Sequence, residues 1–540
     1  MLRLMGILVL ALIASPASAQ VFAHHDTFAA CTDAASQPAL AGSLCSTIAA
    51  PLDRRHPALG KVELFVRKFP AIGRSKGQLW LIAGGPGESG ASFYPFLTIL
   101  RAAAPGYDLL IPDHRGTGYS TRLCPAEEAA SSDGGTALAG AEWGTCFAAL
   151  NADAERTRAF TISNAAFDLQ ALIDRLSTGR RTYLYGVSYG TQLVVRTLAI
   201  APPRRLDGVI LDSLVPPDAT RIWDLSHRSA VVDAVGRQVL ATCDGDAKCS
   251  ARFGGSAERA LRSIVDDPKT PALLGGNPKY FFGALLDFPD LRAQIPDIMA
   301  AILRGDKAPI DRITAREEEI GQRFNAYPQS PSSIPLVSLI SRSENDARPG
   351  LTAAELASET AAYLFASPLP EQLLRAGLPV YPHDADFGAT PKRLPPTLVV
   401  QGDLDPKTPY EGALAQIRQL NKAGPVTLLT VSGGPHFALF TAPECLGPAI
   451  HRFLTTHRPS AIDHRRRGVR STCPMGRSLR EHCPARPANA ASTFSYSRVS
   501  SSASATCAMS APLAVTRQRS GAAASMVVTA LCGQTPREFR

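Results

Sequence analysis

Beyond its first 19 residues the chain has no apolar run of 18 residues, so it holds no later segment long enough to cross a bilayer as a helix. Its cysteines form no C-x-x-C pair and its histidines do not cluster beside them, which argues against a structural zinc site. No cysteine follows the first 19 residues directly, which argues against a bacterial lipoprotein. Lysine and aspartate are missing from residues 464–540, which carry 12 Arg and 2 Glu, a net of +10. The whole chain is +9, so the other 463 residues are at −1. Basicity therefore belongs to the tail, and the body offers no electrostatic footprint for nucleic acid.

What is present begins with "MLRLMGILVLALIASPASA", residues 1–19. Arg3, a short apolar run and Ala17-Ser18-Ala19 have the pattern of a secretory leader, with Gln20 as the expected first residue after cleavage. The expected protein is exported, periplasmic or secreted, with no stable membrane insertion. In such a compartment the body's seven cysteines can pair. Cys124–Cys146 and Cys243–Cys249 are the expected bridges, Cys31–Cys45 is a further candidate, and Cys445 is left over.

Apolar stretches ending in glycine-rich or polar turns recur at 61–69, 77–90, 107–120, 182–187, 206–217, 395–409 and 426–436. Between several of them lie segments of helical periodicity, such as 161–178 with Ser163 or Asn164 as N-cap. Strands alternating with helices predict an α/β fold with a mostly parallel sheet. The expected division is a first part of the core at 20–217, an inserted, mainly helical cap at 218–390, and a second part of the core at 391–463. Residues 464–540 lack apolar periodicity and read as disordered or as an aberrant gene end.

Gly186-Val187-Ser188-Tyr189-Gly190 fits G-x-S-x-G at the end of a strand and the start of a helix. That turn lifts a serine oxygen clear of the backbone, so Ser188 is the candidate nucleophile. A serine needs a base, and the base needs an acid to orient it. Asp405 in "QGDLDPKTP" and His436 in "SGGPHFAL" follow later strands in the required order, with Asp403 as the rival acid. "AGGPGESG" at 83–90 follows an early strand and can present a backbone N–H to a developing oxyanion. The expected pair of donors is Gly85 and Tyr189.

Together, "GGPGESG", "DHRGTGYS", "GVSYG", "GDLDPKTP" and "GGPHF" resemble the proline iminopeptidase family of α/β-hydrolases, and within it the secreted tripeptidyl aminopeptidase-like branch. The likeness runs over about residues 27–457. It implies an α/β-hydrolase fold and a serine exopeptidase acting near the free N-terminus of peptides, without metal or organic cofactor. An esterase or lipase on the same scaffold is the alternative, and a non-catalytic binding protein a more distant one. The likeness also implies that Asp113 and Arg115 shape the site structurally. The chain departs from the family at Ala83, where relatives often have histidine, and at Arg342, where a cap cysteine is usual. It keeps Glu344. A carboxylate facing the serine could hold a substrate ammonium; Glu344 and Glu88 are the candidates. "REEEI" at 316–320 reads as an exposed helix face.

Overall fold

The computed structural model describes residues 27–456 and 470–474, apart from 130, 133–142, 376, 378 and 379. The expected leader therefore lies outside the described residues, as does all of the tail except its strand at 470–474.

Ten strands form one sheet: β1 (Ala29–Ala30), β2 (Leu44–Pro51), β3 (Lys61–Phe69), β4 (Gly77–Ile82), β5 (Tyr107–Pro112), β6 (Arg181–Val187), β7 (Gly208–Asp212), β8 (Thr397–Gly402), β9 (Val426–Ser432) and β10 (Arg470–Pro474). Their spatial order is β1-β2-β3-β5-β4-β6-β7-β8-β9-β10. The first three pair antiparallel at one edge, and β3 meets β5 antiparallel. From β5 to β10 every neighbouring pair is parallel.

Every residue of β4, β5, β7 and β8 is buried, as parallel strands covered on both faces must be. The period of two divides β4 between two cores. Leu79 and Leu81 join the core that includes the cap and the last helix, Pro443–Thr456. Trp80 and Ile82 join the core under the helices Ile162–Leu176 and Tyr189–Ile200. The first of these helices is capped by Thr161, whose hydroxyl accepts the N–H of Asn164. The expected caps, Ser163 and Asn164, lie inside it. An apolar residue, Ile162, stands at N1, so the cap falls one position earlier than the polar cluster suggests.

Between β7 and β8 the described residues form helices and turns and no strand. This helical insertion reaches the sheet at the turn after β4, where Ser333 N–H donates to the Gly87 carbonyl at 2.9 Å. A Cβ on Gly87 would lie 2.5 Å from the Ser333 carbonyl oxygen, so only glycine permits the contact.

Two expectations about the C-terminal part are corrected. Cys445 is not left over, because it forms a disulfide with Cys473. Nor is the tail without structure throughout: Arg470–Pro474 adds a parallel strand to β9, with Cys473 paired to Val431 in the register. Cys31–Cys45, Cys124–Cys146 and Cys243–Cys249 are bridged as expected.

Candidate active site

The strand order runs outward in opposite directions from β4, which lies between β5 and β6. In open α/β sheets such a switch point leaves a crevice at the carboxyl ends of the strands. The turn after β4 and the turn after β6 both open there. Ser188 occupies the β6 turn with φ of 53°, a left-handed conformation rare for a side chain of this kind. Its flanking glycines make the turn possible. A Cβ on Gly190 would lie 2.3 Å from the Ile82 carbonyl, and one on Gly186 would lie 2.7 Å from the Gly190 carbonyl.

Tyr189 is the first residue of the helix Tyr189–Ile200, so its N–H belongs to the turn without intrahelical acceptors. Gly85 has φ of 109°, and a Cβ there would strike the N atoms of Gly87 and Glu88 at 2.4 and 2.5 Å. Gly85, Ser188 and Tyr189 line one cleft of about 70 Å³, together with Arg228, Lys407 and Thr408.

His436 and Asp405 meet in the loops after β9 and β8. His436 Nδ1 lies 2.8 Å from Asp405 Oδ2. Thr408 Oγ1 donates to the same oxygen at 2.7 Å. The N–H groups of Lys407 and Thr408 donate to Oδ1 at 2.7 and 2.8 Å. Burial alone would raise the Asp405 pKa. The charge of His436 and these hydrogen bonds outweigh it and hold the carboxyl below its ordinary value. Asp403, the rival acid, instead accepts the Gly433 N–H at 2.6 Å and braces the loop.

One further residue ties these loops together, and the motif reading passes over it. Asp212 ends β7. Its carbonyl accepts the Ser188 N–H at 3.0 Å. Its carboxylate accepts the N–H groups of Ala438 and Leu439 at 2.9 and 3.0 Å, just after His436, and the Tyr185 hydroxyl at 2.6 Å. A carboxylate closing the apolar strand "GVILD" was the available signal.

Asp113 and Arg115 anchor the neighbouring loop. Asp113 accepts the N–H groups of Gly90 and Tyr119 at 2.7 and 2.8 Å, which fixes the end of the glycine turn. Arg115 grips Asp168 through two donors at 2.6 and 2.9 Å.

The two expected ammonium anchors separate. Glu344 is buried, with Oε2 on Arg196 at 2.9 Å and Oε1 on the Tyr381 hydroxyl at 3.1 Å. It is absent from the lining of the Ser188 cleft, where its neighbour Asn345 stands. With both oxygens engaged it serves as an internal counter-ion to Arg196, so the expectation for Glu344 is corrected. Glu88 is half-buried, and its Oε2 and the Ser188 Cβ both face the space where Gly84 lacks a side chain. Burial pushes its carboxyl up to about 7, against the pull of His436.

The cap adds two acids that sequence reasoning missed. Asp287 is ion-paired to Lys407 at 2.9 Å and is held above the ordinary carboxyl value by burial, despite Lys407 and His436. In "REEEI", Glu318 and Glu319 are exposed as expected, but Glu317 is half-buried. Burial, then the charge of Asp287, lift its carboxyl to about 7.

Residues 79–241 match the family described as alpha/beta hydrolase fold, and residues 365–465 match the family described as TAP-like protein. The chain is 26% identical over 456 residues to the serine protease Hip1 of Mycobacterium tuberculosis, covering 76% of this chain and 85% of that protein. It is 24% identical over 473 residues to a tripeptidyl aminopeptidase of Streptomyces lividans, covering 78% of this chain and 82% of that one. The two matched segments run into the helical insertion from either side, and between them they contain Ser188, Asp405 and His436.

Proposed function

The chain is an α/β-hydrolase of the TAP-like branch, a serine peptidase by its relatives, and on that premise we propose that it is an exported exopeptidase acting near the free N-terminus of peptides. The observation that carries the reading is the pairing of His436 with Asp405 at 2.8 Å, next to Lys407 and Thr408, which line the same cleft as the positive-φ Ser188 at the sheet's switch point. Ser188 attacks the scissile carbonyl while His436 takes its proton. The N–H groups of Gly85 and Tyr189 receive the oxyanion. Asp405 fixes the imidazole tautomer and offsets the charge that His436 gains. His436 then protonates the leaving amine, and water releases the acyl-enzyme.

Glu88 supplies the anchor that an aminopeptidase needs. Its carboxylate stands beside Ser188 and is raised by burial, so an ammonium arriving there relieves an unfavourable charge. Export is supported by the leader-like first 19 residues and by four disulfides among the described residues. No helix among the described residues is long and apolar enough to cross a membrane.

The test compares peptide anilides with free and with N-acetylated termini, using Ser188→Ala as control. Cleavage much faster on free than on acetylated termini, and lost in the variant, is expected. Equal rates on both forms would remove the exopeptidase reading, and ester turnover without peptide turnover would replace it by an esterase.

A further inference from the structure

Charge in the cleft is unevenly matched. Apart from Glu88, the carboxylates around it already have partners. Asp224 accepts the N–H groups of Ser226 and Ala347 at 3.0 and 2.8 Å and stands against His227. Asp405 is filled by His436, Thr408 and the loop N–H groups. Asp218 takes Arg196 at 2.7 Å and Gln192 at 2.9 Å. Asp287 holds Lys407.

Arg228 lines the same cleft as Ser188 and stands apart from these pairs. It is half-buried, its Nε has no hydrogen-bond partner, and no ion pair of its guanidinium is found among the described residues. The carboxylates that bear on it, Asp405, Asp287 and Asp224, act only through space. Its position in the fold is also unfavourable for a cation. Arg228 opens the 17-residue helix Arg228–Asp244, at the end where the backbone favours negative charge. Burial disfavours its charged form as well. A guanidinium that is paired with no carboxylate, lines the cleft of Ser188 and sits at a helix N-terminus is complementary to an anion of planar, two-oxygen shape.

We propose that Arg228 forms a subsite for a carboxylate of the substrate. This deepens the peptidase reading and rests on Ser188 being its nucleophile. A carboxylate there would receive the guanidinium fork and the attraction of the helix end together. Two sources share that chemistry: the C-terminal carboxylate of a short peptide, and an Asp or Glu side chain near the cleaved bond.

The test uses Ser188→Ala protein for binding and the unmodified enzyme for turnover. Alanine peptides of four to six residues are compared as free acids and as amides, and amidated hexapeptides are scanned with one Glu. A preference of at least about tenfold for one charged form is expected, in affinity and in kcat/KM. A preference for free acids assigns the C-terminus, and one for Glu at a single position assigns a side chain. In Arg228→Gln the charged-to-neutral ratio should fall at least about tenfold, and Arg228→Lys should keep part of it. No charge preference in Ser188→Ala protein, or a preference that survives Arg228→Gln, overturns the proposal. Should the enzyme cleave esters and no peptides, the peptidase reading fails separately. The subsite is then read from the ratio for p-nitrophenyl hemisuccinate over p-nitrophenyl butyrate, before and after Arg228→Gln.

Discussion

The backbone N–H of Ser188 donates to the carbonyl of Asp212 at 3.0 Å, while the carboxylate of that same Asp212 holds the backbone just beyond His436. One residue thus fixes both the turn that presents the nucleophile and the loop that presents the base. In Asp212→Ala the Tyr185 hydroxyl and two buried N–H groups lose their acceptor. Each unsatisfied group costs about 1–3 kcal/mol, so a loss of about 3 kcal/mol or more in urea unfolding is expected. kcat should fall more than KM rises, because the geometry of attack is disturbed and not the cleft.

Ser188→Ala should lower kcat by about 10⁶ with no loss of thermal stability. The residue sits in a strained turn, and alanine removes only its oxygen. Titration with an organophosphate probe should label the parent protein once and the variant not at all.

Asp405→Asn should lower kcat by about 10⁴, because the amide favours the wrong imidazole tautomer. Asp403→Asn loosens a loop contact and should cost less than about tenfold. A reversed order of these two effects would move the acid to Asp403. The held-down carboxyl of Asp405 also contributes stability above its unfolded pKa near 3.8, and that contribution is lost as pH falls through the lower folded value.

The Glu88 carboxyl titrates at about 7. Below that pH it is neutral and cannot hold an ammonium. The ratio of kcat/KM for free over N-acetylated substrates should therefore rise as pH passes about 7 and fall above about 8, where the substrate amine loses its proton. In Glu88→Gln the rise near 7 should vanish. The ratio cancels the protonation of His436, which serves both substrates alike.

Cys445→Ser together with Cys473→Ser opens a loop of 28 residues. Chain entropy puts the loss at about 3–4 kcal/mol, measurable by urea unfolding with and without reductant. An unchanged midpoint would mean that the bridge contributes nothing to stability.

Much of this architecture was legible. Residues 61–69 alternate as a strand, and β3 has those bounds. Ser188, Asp405 and His436 stand in strand-end motifs, where local chemistry is written in contiguous residues. The role of Glu344 is not legible in sequence because its partners, Arg196 and Tyr381, are distant along the chain. Arg228 and Glu317 carried no signal, since a charged residue in a helical pattern looks solvated until the facing element is known. β10 went unseen because a five-residue strand in an Arg- and Ser-rich tail has too little apolar pattern, and its place depends on a distant cysteine.

β10 also has a consequence for solubility. It covers β9, whose sequence "VTLLTVS" is apolar, β-branched and free of charge. Such an edge, left bare, is a template for pairing with another chain. In a reducing cytosol the clasp at Cys473 would not close, and β10 would be held by backbone pairing alone. Protein made there should aggregate through β9 more readily than protein made in an oxidising compartment.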